Sequence, residues 1–153
     1  MASFPNIGAL AAHFERAAMR LPAEIHAALT ERAIDVRQIA YEKIGGYQAA
    51  AESPQGAEFP GWSELADATK EDRVQQGYSP DDPLLRSGGF AETITSDIQP
   101  SQFTVGSADP RAEWFEQGTS RMPPRPSIGP AMAQSMDATN ERLAEAVVIA
   151  MKA

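Results

Sequence analysis

Apolar residues recur at steps of three and four from Ile7 through Leu10, Ala11, Phe14, Ala17, Ala18 and Leu21, the stripe of an amphipathic helix. The same spacing resumes after Pro22 with Ile25, Leu29, Val36, Ile39, Ala40 and Ile44. Pro22 suits the first turn of a second helix, where its missing N–H costs nothing, so the pattern predicts either a helix pair or one long kinked helix. Gly45-Gly46 supplies a left-handed cap to end it. A loop rich in Ala, Ser, Gly and Pro follows to Gly61 and is expected to move. Ser63 is placed to cap a short helix from Glu64 to about Gln75, with Glu64 and Asp67 in its first turn and Gly77 closing it.

Beyond the turn-rich stretch from Gly77 to Pro83, Leu84-Leu85 returns the chain to the core. The Phe90 and Ile94 pair suits a helical turn, while Ile94, Ser96 and Ile98 suit the start of a strand. Phe103 and Val105 alternate with Gln102 and Thr104, which makes Ser101 to Gly106 the best strand candidate. A second strand or a short helix follows through Glu113-Trp114-Phe115. The last element is a helix with Ile128, Met132, Met136, Thr139, Leu143, Val147 and Ala150 on one face and Asp137, Glu141 and Glu145 on the other. The order predicts an α+β fold. A small antiparallel sheet packs with a long N-terminal helix or helix pair and a C-terminal helix, in one domain over 1–153 with an irregular acidic insertion at about 45–83.

Composition narrows this picture only in places. The chain has 153 residues, enough for one core, and its 42% apolar and 22% charged residues fit a globular protein. It has no cysteine, so disulfides and thiolate-ligated metals are excluded. The net charge of −8 argues against a freestanding nucleic-acid binder, which needs clustered Lys and Arg. The acidity is concentrated. Between 45 and 83, only Lys70 and Arg73 oppose Glu52, Glu58, Glu64, Asp67, Glu71, Asp72, Asp81 and Asp82. The start Met-Ala-Ser-Phe-Pro lacks a basic region followed by an apolar one, so no signal peptide is expected. The longest apolar run, Ala146 to Met151, is far short of the roughly 20 residues of a membrane span.

The chemistry of an enzyme is sparse. His13 and His26 lie on the first helical stripe without a metal-ligand spacing, and Asp81-Asp82 lacks the glycine and spaced oxygens of a calcium loop. Glu113 and Glu116 flank an aromatic pair and could be imagined as acid and base only with one of them buried. Neither a nucleophile elbow nor a phosphate-binding glycine loop is present, so no enzyme, cofactor or metal is expected.

The feature that stands out is Trp114 to Ala131. Pro123, Pro124, Pro126 and Pro130 hold it extended and leave few backbone donors for pairing. Arg125, fixed between two prolines, loses little freedom on docking and suits a partner's carboxylate or carbonyls. A stiff linker to the last helix explains the same composition equally well.

Three segments resemble the tail-completion and head–tail joining proteins of tailed phages, the virion morphogenesis family. The strongest is Phe115-Glu116-Gln117-Gly118-Thr119 followed by Met122-Pro123-Pro124-Arg125-Pro126-Ser127-Ile128-Gly129-Pro130-Ala131, where Ser127 replaces the family's Phe. Trp62-Ser63-Glu64-Leu65 with Thr69, and Leu84-Leu85-Arg86-Ser87-Gly88-Gly89-Phe90 with Thr93-Ile94, resemble two further family segments in the right order. The resemblance covers residues 59 to 131.

It implies a structural subunit in the virion neck or tail end of a phage, prophage or gene-transfer particle, made in the bacterial cytoplasm. The subunit forms a ring, a hexamer by preference, that joins the tail tube protein to a head-side connector or stopper protein. DNA passes through without sequence-specific binding, and no membrane is involved. The implied interface residues are Trp114, Phe115, Glu116, Gly118, Thr119, Arg121, Arg125 and Pro126. Trp114 and Phe115 would anchor the arm, Gly118 would supply a positive-φ turn and Arg125 would reach a carboxylate of the next subunit. The acidic stretch would face the channel or a basic partner. The alternative is a small cytoplasmic adaptor that binds one protein through its Pro-Arg-Pro arm.

Overall fold

In the computed structural model, which describes residues 4–152, the first stripe forms one helix. The helix α1 runs over Ile7–Glu42, its 36 residues spanning roughly 54 Å at the usual rise per residue. Asn6 caps it, its Oδ1 accepting the Ala9 N–H at 2.9 Å. Pro22 lies inside the helix and neither ends nor divides it. Both Pro22 and Ala18, whose carbonyl loses its i+4 donor, are exposed, so water can take the place of the missing bond. Gly45, at φ 96°, turns the chain out of the helix as expected, and its N–H donates to the Pro83 carbonyl at 2.9 Å.

The loop expected from there to Gly61 contains a hairpin, with strands β1 (Ala51–Glu52) and β2 (Glu58–Phe59). Its turn is held by Ser53, whose N–H donates to the Ala57 carbonyl while its Oγ accepts the Ala57 N–H, both at 2.8 Å. The next helix, α2, covers Asp67–Gln75 and is capped by no side chain. Ser63 is therefore not its cap, and Glu64 lies outside it. Segment 45–83 thus holds a short hairpin and one helix joined by irregular chain, with its acidic residues exposed apart from a half-buried Asp82.

A turn of 3₁₀ helix at Ala91–Thr93 leads into β3 (Ile94–Gln99), which pairs antiparallel with β4 (Gln102–Ser107). Ile94 faces Ser107, Ser96 faces Val105 and Ile98 faces Phe103, so the predicted alternation places one apolar row on a single face. That face packs on α1, where the Arg37 Nε donates to the Ile94 carbonyl at 2.7 Å. The residues around Trp114 form a short helix, α3 (Arg111–Gln117), and the last helix, α4, covers Ile128–Met151. The fold is α+β, with two separate two-stranded hairpins where one sheet was expected.

The two long helices pack antiparallel. Arg142 of α4 is bonded to Glu31 of α1 at 2.8 Å, and Val147 and Ala150 lie beside Phe14 and Ala17. The seam consists of small residues, Ala17, Ala28, Ala33 and Ala40 against Ala131, Ser135, Ala146 and Ala150, which let the backbones approach closely. Val147, placed on the buried face by its spacing, is instead 44% exposed, because the alanine and serine row beside it forms the contact. The core lies where α1, α3, α4 and the β3–β4 hairpin meet, around Val36, Ile44, Phe90, Ile94 and Val105.

Candidate functional site

The three segments that carry the family resemblance come together in space. Glu116, near the end of α3, reaches the start of α4. Its Oε1 accepts the N–H groups of Ser127 and Ile128, both at 2.7 Å, and its Oε2 accepts that of Gly129 at 3.1 Å. A carboxylate here satisfies donors that the first helical turn leaves without partners and opposes the positive end of the helix dipole. The carboxylate imagined as one half of an acid–base pair is thus the cap of α4, while Glu113 points to solvent.

Between α3 and α4 the chain reverses at Gly118, whose φ of 76° and ψ of 177° are open only to glycine. A Cβ there would stand 2.9 Å from the Pro124 nitrogen and 3.0 Å from the Met122 carbonyl. Thr119 and Met122 close the turn as a bridge, with N–H to carbonyl distances of 2.8 and 3.3 Å. The Gly118 expectation holds, and the arm folds back on the body. Its return is fixed by the Arg125 N–H, which donates to the Phe115 carbonyl at 2.6 Å.

Arg125 overturns the reading of an exposed contact residue. It is 4% exposed, and its Nη2 donates to the carbonyls of Ser63 and Glu64 at 2.9 and 3.3 Å. Those carbonyls are free because 63–66 stays extended in place of the predicted helix start. The neighbouring Pro126 is buried, and its carbonyl accepts the Trp62 indole N–H at 3.1 Å. The guanidinium that was expected to reach another subunit therefore clamps this chain's own loop. Phe115 packs edge-on to Phe90 with ring centres 4.7 Å apart, joining the third segment to the same knot. Trp114 is 52% exposed, and Thr119 and Arg121 are exposed too, so these three of the expected interface residues face outward.

Ser127, the departure from the family pattern, is fully buried and makes no cap of its own. An aromatic ring does pack beside it, from a different segment. Phe59 lies so close over Gly129 that a Cβ there would stand 2.9 Å from Cε1.

On the outer side of this knot is a cleft of about 230 Å³, lined by all three segments together with α2 and α3. Four arginines surround it, Arg73, Arg86, Arg111 and Arg125, and no carboxylate is among its lining residues. Arg86 and Arg111 bond Asp72 and Asp109, which lie outside the lining, and each also stacks on an aromatic ring, Tyr78 and Phe90 respectively. The Asp109 carboxyl is held below its ordinary range by the hydrogen bonds from Arg111. Arg73 is buried and donates only to the Ser79 and Asp82 carbonyls, at 3.2 and 2.9 Å. Among the described residues neither Arg73 nor Arg125 forms a salt bridge. Burial lowers the Arg125 pKa from its ordinary value, and Arg73 lowers it further while the Tyr47 side chain opposes the change. Leu84, on the wall, has φ 63°, a conformation rare for a branched side chain.

Three features here were not read from the sequence. Trp62 was noted as part of a motif, but its ring N–H needs an acceptor once buried, and that need pointed to a distant carbonyl. The start of α4, Ser127-Ile128-Gly129-Pro130, holds no acid in its first turn, a sign that an outside carboxylate would serve it. The gathering of Arg73, Arg86, Arg111 and Arg125 had no signal, since the four are spread over 53 positions of sequence, on α2, on α3 and in two loops. Compared with family models, with curated proteins and with solved structures, the chain matches none.

Proposed function

We propose that the chain is a structural subunit of the joint between tail and head in a phage, prophage or gene-transfer particle. It assembles as a ring, a hexamer by preference, between the tail tube protein and the head-side connector or stopper. The observation that carries the reading is the convergence of the three family-like segments. Phe59 to Thr69, Leu84 to Ile94 and Phe115 to Ala131 form one interlocked knot through Trp62–Pro126, Arg125–Ser63 and Phe90–Phe115.

A second feature supports assembly. The far end of the α1–α4 pair leaves Ile7 and Phe14 of α1 and Val148 and Ile149 of α4 exposed, and exposed apolar side chains on a helix pair suit a subunit contact. The acidic residues Glu52, Glu58 and Asp81 are also exposed, as a channel that repels DNA requires. A ring structure with these carboxylates on its outer wall would remove the channel-lining role.

The test is deletion of the gene in a strain that makes the particles, followed by electron microscopy. Unjoined heads and tails are expected; intact particles at normal yield would overturn the reading. The adaptor alternative relied on a free Pro-Arg-Pro arm, and the burial of Arg125 removes its main support.

A further inference from the structure

We propose that the arginine-lined cleft binds a short protein segment in which an Asp or Glu carboxylate lies next to an apolar side chain. The inference concerns the isolated chain and stands whether or not the chain is a particle subunit. Its first ground is charge without a counter-ion. Arg73 and Arg125 are both more than nine-tenths buried, and their hydrogen bonds go to neutral carbonyls. Both hydrogen bonds of Arg125 leave from Nη2, and its buried Nε has no partner. Arg32 Nε and Arg142 Nη1 are also without partners, and what singles out Arg125 is that it lines a cleft with three other arginines and no carboxylate. Two buried cations facing one small cleft create a positive potential there, on a molecule whose net charge is −8.

The second ground is access. Arg86 and Arg111 stand at the same cleft with side chains 43% and 48% exposed, so their guanidinium groups can turn toward a ligand. Arg86 holds Asp72 at the surface, where such a pair is worth little and exchanges readily, whereas Arg111 grips an Asp109 that is only 15% exposed through Nε and Nη2, so Arg86 is the one that turns more readily. Planar guanidinium forks match a carboxylate in two parallel hydrogen bonds.

The third ground selects a peptide over a simple anion. Apart from the Thr69 and Ser87 hydroxyls, the rest of the wall is Leu65, Leu84, Phe90, Phe115 and Met122, a surface that phosphate cannot use and an aliphatic side chain can. The volume of about 230 Å³ is below the roughly 300–1,000 Å³ of sites that enclose a drug-sized ligand, and suits one or two side chains. A nucleic acid is disfavoured, because it needs an extended basic surface and this is one small cleft on a molecule of net charge −8.

The experiment follows the arginine Nε–H resonances of the full ¹⁵N-labelled chain during titration with three probes. They are acetyl-Ala-Leu-Glu-Leu-Ala-amide, the same peptide with Gln for Glu, and sodium phosphate. The Glu peptide is expected to shift the resonances of Arg86, Arg111 and Arg125 in a saturable way, and the Gln peptide to bind about tenfold more weakly. An Arg86→Gln/Arg111→Gln double variant is expected to stay folded, with a lower melting temperature because Asp109 loses Arg111, and to lose the shift. Four results would each overturn the proposal: no saturable shift, equal binding of the Glu and Gln peptides, a phosphate response as strong as the peptide's, or unchanged binding by a folded double variant.

Discussion

The two ends of the α1–α4 pair carry the same kind of apolar stripe and meet different fates. At the near end Val36, Ala40 and Ala131 are sealed by the β3–β4 hairpin, α3 and the knot of loops around Trp62 and Arg125. At the far end Ile7 is 85% and Phe14 51% exposed, although both belong to the apolar stripe of the helix that buries Val36. Periodicity states that a face is apolar. Whether that face is covered depends on how much chain folds back over it, and here all the folding back happens at one end. The near end is also where polar groups are spent on holding loops together, whereas the far end is held by alanine contacts and the Arg142–Glu31 pair.

If the knot seals the near end, breaking it should cost far more than altering the far end. Trp62→Ala removes a buried ring and leaves the Pro126 carbonyl without its donor, with an expected loss of about 3–5 kcal/mol in a urea melt. A loss below about 1 kcal/mol would mean that the knot is not a structural seal. Gly118→Ala should cost about 3 kcal/mol, since it forces a Cβ into the glycine-only region and against the Pro124 nitrogen and Met122 carbonyl. Glu116→Ala takes away the cap of α4 and should cost about 1–2 kcal/mol. Slower-exchanging amides at 127–129 in the parent than in the variant, read by hydrogen exchange, would locate the effect.

At the other end, Ile7→Ser should change the stability of the isolated chain by less than about 0.5 kcal/mol. A larger loss in dilute monomer would show that the far end is covered after all. The smallest expected effect is a pH dependence at the acidic loop. The hydrogen bond from Lys70, with its charge, holds the Asp81 carboxyl below its ordinary value, and Tyr47 adds a second bond. A carboxylate depressed in the folded state stabilises above its unfolded pKa, and the contribution is lost as pH falls through the folded one. Asp81→Asn should therefore slightly flatten the fall in melting temperature between about pH 5 and about pH 3 while leaving the plateau near pH 7 a little lower. Identical acid limbs for the two proteins would remove the Lys70–Asp81 pair from the account.

Much of the fold was legible where local pattern suffices. The two long helices, the turn at Gly45, the alternation in β4 and the positive φ at Gly118 all follow from spacing or from glycine chemistry, and each is present. The β1–β2 hairpin was missed because its strands are two residues long and carry no alternation to read. Ser63 was misread as a helix cap for a tertiary reason. The Ser63 and Glu64 carbonyls accept hydrogen bonds from Arg125, sixty residues away, and the helix begins only at Asp67.

The segment Trp114 to Ala131 separates the two kinds of information. By itself the sequence determined that it is stiff, that it turns at Gly118 and that a helix starts after Ser127, since proline, glycine and helical spacing act through neighbouring residues. Only the tertiary structure decided which way it faces. Arg125 could bond any carbonyl or carboxylate, and the extended loop at 63–64 offers two carbonyls that no helix uses, held within its reach by the Trp62 bond to Pro126. A long cation has many possible partners, and its choice among them is set by which backbone groups the rest of the fold has left unsatisfied.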